Sequence, residues 1–97
     1  MKKHRLVITE EADFEIVSAY KWYEDKLEGL GERFLLELDN SFNQIDRNPK
    51  SFQIIYKKHR QAILNKFPFV VIYQQIKNEI IIFAVFHTSQ DPKKKRR

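Results

Sequence analysis

The sequence predicts an α+β domain of order β-αα-ββββ: a twisted, mostly antiparallel sheet with a helical hairpin packed on one face. Three observations predict it. Apolar residues recur every three or four positions through the first half of the chain. Gly29 and Gly31, the only glycines, interrupt that pattern near its middle. After Pro49 the helical period vanishes, and runs rich in Ile, Val, Phe and Tyr replace it.

His4 to Thr9 reads as a short first strand. Thr9 is also a good N-cap, because its hydroxyl can accept from an otherwise unpaired helical N–H. Glu10, Glu11 and Asp13 then suit the positive end of a helix dipole. The first helix is expected from about Glu10 to Leu27, with Ala12, Ile16, Ala19, Tyr20, Tyr23 and Leu27 as its apolar stripe. Phe14, Val17 and Trp22 widen that surface. Gly29 can take the left-handed conformation that stops a helix. A second helix follows from about Gly31 to Arg47, with Leu30, Phe34, Leu38, Phe42 and Ile45 in register and Leu35 in support. Asn48-Pro49 ends it, since a residue before proline avoids the α region. Two long helices joined by so short a link form an αα-hairpin.

Four strands are expected beyond it. Ser51–Tyr56 is the first, and Lys57-Lys58 turns the chain into His59–Leu64. Lys66-Phe67-Pro68 punctuates before a strong strand, Phe69–Ile76. Lys77-Asn78 fits a two-residue hairpin turn, and Glu79–Phe86 is an apolar last strand, read as central in the sheet. Residues 1–92 are taken as a single domain and residues 93–97 as a disordered basic tail.

The composition narrows the function. The chain has 97 residues, 42% of them hydrophobic, enough for one core. It has no cysteine, so disulfides and thiolate zinc sites are excluded and a reducing, cytoplasmic setting is expected. No apolar run reaches the roughly 20 residues that span a bilayer, so no membrane role is expected. The basic start, with acids close behind it, does not read as a signal peptide. The net charge of +5 is unevenly spread. Residues 1–49 hold seven Lys/Arg against eleven Asp/Glu, and residues 50–97 hold eleven against two. A split of that kind suggests a basic face that meets phosphate or an acidic protein.

No phosphate-binding loop, dinucleotide fingerprint, zinc-protease motif or calcium loop is present, and His4, His59 and His87 lack metal-ligand spacing. No cofactor or metal is expected. The chemistry-bearing residues left are on the sheet. Lys57, Lys58, His59 and Arg60 lie between or within the second and third strands, Tyr73 is mid-strand, and His87 ends the last strand before Ser89 and Gln90. Antiparallel pairing that joined Arg60, Tyr73 and His87 would make a phosphodiester site: a guanidinium to neutralise phosphate, and imidazole or phenol to move protons during attack by a ribose 2′-OH. The structural alternative is a His held at a strand end and a Tyr73 ring buried in the core.

An ordered set of motifs resembles the RelE/ParE superfamily of type II toxins, also known as plasmid stabilisation proteins. Ala12-Asp13-Phe14-Glu15-Ile16 and Ala19-Tyr20-Lys21-Trp22-Tyr23-Glu24 mark the first helix. Gly29-Leu30-Gly31-Glu32-Arg33-Phe34-Leu35 crosses to the second, which closes with Ile45-Asp46-Arg47-Asn48-Pro49. Arg60, Phe67-Pro68-Phe69, Val71-Ile72-Tyr73, Ile80, Ile82 and Phe86-His87 follow in order. The resemblance covers about Leu6 to Pro92. It implies the fold derived above, growth inhibition, and neutralisation by a small cognate antitoxin whose partly disordered segment folds on the toxin.

It implies two branches of activity. RelE-like toxins cleave mRNA in the ribosomal A site, while ParE-like toxins inhibit DNA gyrase. Relatives commonly carry His-x-x-Arg-x-Pro after the last strand and a Trp beyond it. Here Gln90 replaces that arginine and Lys95 the tryptophan, and Val70 stands about where RelE nucleases place a further arginine. Loss of two phosphate-binding arginines, together with Trp22-Tyr23-Glu24, places the resemblance nearer ParE. On that reading Trp22 packs the helical hairpin, and DNA gyrase is the expected target. A ribosome-dependent mRNA endonuclease using Arg60, Tyr73 and His87, and an inactive antitoxin-binding relative, are the alternatives. Target or nucleic-acid contacts are expected from Lys57, Lys58, Arg60, Gln90, Lys93, Lys94 and Lys95.

Overall fold

The computed structural model describes residues 3–90. Five strands and two helices follow in the order β1 (Arg5–Ile8), α1 (Glu10–Lys26), α2 (Leu30–Arg47), β2 (Gln53–Tyr56), β3 (His59–Ile63), β4 (Phe69–Ile76) and β5 (Glu79–His87), with a final 3₁₀ turn at Thr88–Gln90. The β-αα-ββββ order is the expected one. The strand expected from Ser51 starts two residues later, at Gln53, because Ser51 instead bonds the carbonyl of Asn48 through both its N–H and its hydroxyl.

The sheet order is β1-β5-β4-β3-β2. The pairs β2–β3, β3–β4 and β4–β5 are antiparallel, and β1 joins β5 in parallel, with Arg5 opposite Glu79 and Ile8 opposite Ile82. The last strand is thus central, flanked by β1 and β4. Between β4 and β5 the pairing steps from Ile72–Ala84 to Tyr73–Ile82, so Phe83 is an extra residue in a β-bulge. The bulge has a packing consequence. Ile82 and Val85 are three residues apart, which an unbroken strand would place on opposite faces. With the bulge, Ile80, Ile82 and Val85 are all buried against the helices.

Local chemistry sets the helix ends. Thr9 Oγ1 accepts from the Ala12 N–H at 3.1 Å, and Glu10, Glu11 and Asp13 occupy the first turn of α1. Gly29 starts α2 at φ 89°, a left-handed conformation, and has no side chain to cap with. Glu24 does that work from the neighbouring helix: its two carboxylate oxygens accept from the N–H groups of Gly29 (2.8 Å) and Gly31 (2.9 Å). A negative group is thereby held at the positive end of α2.

The core lies between the hairpin and one sheet face. Tyr23, Phe34, Leu38, Phe42 and Ile45 from the helices meet Ala62, Phe69, Val71, Tyr73, Ile80, Ile82 and Val85. Phe34 sits 5.5 Å from Phe67 and 5.0 Å from Phe69, both edge to face, and Tyr23 meets Phe67 the same way at 4.9 Å. Each fully buried side chain of this size contributes about 1.5–3 kcal/mol. Trp22 is a correction to the sequence reading. It is 57% exposed rather than packed in the hairpin, because it falls on the flank of the Ala19–Tyr23 stripe. Phe14 (72% exposed) and Leu27 (60%) lie outside the core as well. No helix among the described residues is long and apolar enough to cross a membrane.

Candidate functional site

The topology sorts charge by position. The β2–β3 and β4–β5 turns and the start of β1 all lie at one end of the sheet. Each turn opens on a lysine in the left-handed region, Lys57 at φ 51° and Lys77 at φ 55°. A non-glycine residue there costs about 1–2 kcal/mol. Lys58 and Arg5 are at the same end, and Lys3, Arg47 and Lys50 line a cleft beside it with His4 and Gln75. Asp46 and Glu79 interrupt the patch. The basic character read from the second half of the chain is therefore concentrated at one end of the sheet, and residues 3, 5 and 47 of the first half join it. Lys93, Lys94 and Lys95 of the expected tail lie outside the described residues, as does any account of the Gln90 side chain.

Arg60 and Tyr73 are brought together. They are opposite each other on β3 and β4, on the helix-facing side of the sheet. Both face inward to the chain segment that follows α2. Tyr73 is fully buried, and its hydroxyl donates to the Pro49 carbonyl at 2.6 Å. Arg60 Nη1 donates to the carbonyls of Phe52 (2.7 Å) and Lys50 (3.1 Å). Burial pushes the Tyr73 hydroxyl up to about 12, against an opposing pull from the Arg60 charge. This pair clamps residues 49–52 to the sheet.

His87 is not with them. It pairs with Phe69, four residues before Tyr73 on β4, or roughly 13 Å away along the strand. Its Nδ1 accepts from the Ser89 N–H at 3.0 Å and lies 2.8 Å from the Ser89 hydroxyl. A neutral His87 ring therefore carries its proton on Nε2. The ring stands edge-on to Phe69 at 5.4 Å. His59, which the sequence reading grouped with the lysines, lies between Tyr56 and Phe83, and its buried Nδ1 has no hydrogen-bond partner among the described residues.

His87 instead belongs to a second feature at the other end of the sheet. A cleft of about 430 Å³ lies between α1 and the end of β5, lined mainly by Phe14, Ser18, Trp22, Tyr23, Phe86 and His87. Its rim is apolar and exposed. Trp22 meets the edge of Tyr23 at 5.2 Å, and the Lys26 ammonium sits 4.7 Å from the indole centroid. The Glu15 carboxylate, also at this cleft, accepts from the Val85 N–H at 2.7 Å. The signal for this cleft was present in the sequence as Phe14 and Trp22 lying off the main helical stripe, whereas Val17, read with them, does not line it.

Comparisons with known proteins agree with this architecture. The sequence matches the family described as the ParE toxin of the type II toxin–antitoxin system, parDE, over residues 6–92. Among solved structures, the chromosomal ParDE toxin–antitoxin system from P. aeruginosa superimposes with a TM-score of 0.76 at 13% identity, covering 88% of this chain and 96% of that one. A comparison with curated proteins finds no match. With a family match that runs over nearly the whole sequence, the chain belongs to the ParE family of type II toxin–antitoxin toxins.

Proposed function

We propose that this toxin arrests growth by inhibiting DNA gyrase, and that a cognate antitoxin neutralises it by folding a segment into the cleft between α1 and β5. The observation that carries the target reading is the separation of Arg60 and Tyr73 from His87. A nuclease of the kind considered needs cation and proton donor on one phosphodiester. Here the Arg60 guanidinium and the Tyr73 hydroxyl are bonded to backbone carbonyls, and His87 is at the far end of β4. That disposition favours action by binding. The basic end with Lys57 and Lys58 is the surface proposed to meet the target, and charge complementarity there would speed association.

The antitoxin reading is supported by exposed Phe14 and Trp22 beside the α1–β5 cleft. Aromatic anchors of this kind, partly exposed and next to a concavity, are what an amphipathic segment buries when it orders on binding.

Purified toxin added to gyrase and relaxed plasmid tests the proposal. Loss of supercoiling, restored by the antitoxin, is the expected result. Normal supercoiling with excess toxin, together with cleavage of translated mRNA in a primer-extension assay, would replace this reading with the endonuclease one.

A further inference from the structure

A second cleft lies beside the basic end of the sheet. Its volume is about 500 Å³. Lys3 and His4 form one wall, the segment from Arg47 to Ser51 forms the other, and Gln75 joins from β4. Lys3, Arg47 and Lys50 make no ion pair among the described residues.

Both walls are fixed by buried polar groups. On the first side, Asp46 is buried, and its oxygens accept from the N–H groups of Lys3 and His4, each at 2.8 Å. The same carboxylate lies 3.1 Å from His4 Nδ1. His4 Nε2 then lies 3.2 Å from the Gln75 amide nitrogen, which fixes the imidazole from both sides. On the second side, Tyr73 holds Pro49 and Arg60 holds Lys50 and Phe52. The backbone carbonyls of residues 49, 50 and 52 are thereby turned toward the sheet.

The arrangement concentrates positive charge. The C-terminus of α2 attracts one cation through its dipole, and Arg47 in the last turn answers to that. It does not call for Lys3 and Lys50 as well. Among the described residues no acid lines the cleft, and the charge of the neighbouring Asp46 is compensated by contacts to Lys3 and His4. What remains is an open cleft lined by three exposed cationic residues, its two walls held by the hydrogen bonds above.

We propose that this cleft binds a phosphate group, carried either on a nucleic-acid backbone or on a small phosphorylated ligand. Arg47 supplies a planar fork suited to two phosphate oxygens, and Lys3 and Lys50 supply point charges on either wall. The site shares the basic end of the sheet with the Lys57–Lys58 turn but uses other residues, and it has no lining residue in common with the α1–β5 cleft.

The test uses the full chain, with inorganic pyrophosphate and a short duplex DNA as separate probes. Amide chemical shifts are followed by NMR during titration. Pyrophosphate should move the signals of residues 3–4 and 47–51. The double variant Arg47→Gln/Lys50→Gln should weaken its binding by about tenfold or more, as expected for losing charge-assisted contacts. The control Lys21→Gln/Lys66→Gln removes the same charge elsewhere and should retain the wild-type affinity. If the duplex is the carrier, its binding should show the same shifts, and the first variant should lower the salt slope by about two. Pyrophosphate binding without duplex binding assigns the cleft to a small phosphorylated ligand. Absence of shifts at residues 3–4 and 47–51 with both probes, or an equal loss in the control, overturns the proposal. All four substitutions are at exposed positions, so the fold is retained.

Discussion

Tyr73 and Pro49 are joined by a 2.6 Å hydrogen bond from a fully buried phenol to a carbonyl just past the end of α2. The bond ties the helical hairpin to the middle of the sheet. A phenol so placed has a structural role available to it that needs no substrate. Tyr73→Phe keeps the ring and leaves the Pro49 carbonyl without this donor, so the variant should lose about 1–2 kcal/mol of stability in a urea melt. Growth arrest on expression should survive. Loss of toxicity in a variant that still folds would instead give the hydroxyl a chemical role.

The same group makes a pH prediction. Its folded value, about 12, is raised above the ordinary 10.0. The folded state therefore holds a proton that the unfolded state releases as pH climbs through that interval, so stability falls between pH 10 and 12. Below pH 10 the contribution is constant. Urea midpoints measured at pH 9 and pH 11.5 should differ more in the wild type than in Tyr73→Phe.

Asp46 titrates in the opposite sense. Burial pushes its carboxyl up, but the N–H groups of Lys3 and His4 and the His4 side chain outweigh that and hold it below the ordinary 3.8. A lowered folded value means stability that is present above the unfolded value and is lost as pH falls through the folded one. Asp46→Asn should lower stability at pH 7 by about 1–3 kcal/mol, because donors around a buried group lose an ionised acceptor. The difference between wild type and variant should shrink once both are taken below pH 3.8. A gap that stays constant into acid would mean that the charge of Asp46 contributes nothing.

The contrast between these two residues also marks what was legible from sequence. Thr9 as a cap, Gly29 as a left-handed residue of the helix link and Phe69–Ile76 as a strand depend on neighbours within a few positions, and each was readable, although Leu27 ends α1 and Gly29 caps α2. The buried bonds of Asp46 are to residues 42 and 43 positions away, and no local pattern announces them. The bulge at Phe83 is hidden for another reason: the unbroken apolar run from Ile80 to Phe86 has no period to interrupt. The parallel pairing of β1 with β5 follows from a crossover that turn residues do not encode. As for the site residues, strand assignment placed Arg60 and Tyr73 in adjacent strands, but register decided that His87 meets Phe69. The expected Lys77-Asn78 turn pairs Ile76 with Glu79 and by counting puts His87 opposite Pro68, and the bulge shifts it by one residue only, so the distance from Tyr73 was readable from the turn.

The hairpin link makes a fourth prediction about stability. An added Cβ at Gly31 would stand 2.8 Å from the ring and the carbonyl of Tyr20, closer than packing allows, whereas at Gly29 the space is open but φ is 89°. Gly31→Ala should therefore destabilise through displacement of α1 from α2, and Gly29→Ala by about 1 kcal/mol through backbone strain alone. Glu24→Gln keeps one acceptor oxygen, turns the other position into an NH2 donor that faces a backbone N–H, and removes the charge at the α2 N-terminus, so a loss of about 1 kcal/mol or more is expected. Thermal melts of the three variants should rank Gly31→Ala lowest. A Gly29→Ala protein less stable than Gly31→Ala would contradict the close helix contact at Tyr20.

Trp22 separates stability from partner binding. The indole is 57% exposed and Phe14 is 72% exposed, so both rings lie outside the buried core. Trp22→Ala should change the melting midpoint little, within the roughly 0.5 kcal/mol typical of surface substitutions. If the antitoxin seats a segment in the α1–β5 cleft, as proposed, the same variant should bind it about 30-fold more weakly, since a tryptophan anchor contributes about 2 kcal/mol or more at an interface. Leu36→Ala supplies the control, because Leu36 is 64% exposed on α2 and does not line the cleft. Calorimetric titration of each purified toxin variant with the antitoxin checks both numbers. Equal affinity for Trp22→Ala and wild type would move the antitoxin off this cleft, and the basic end of the sheet would be the next surface to test by the same method.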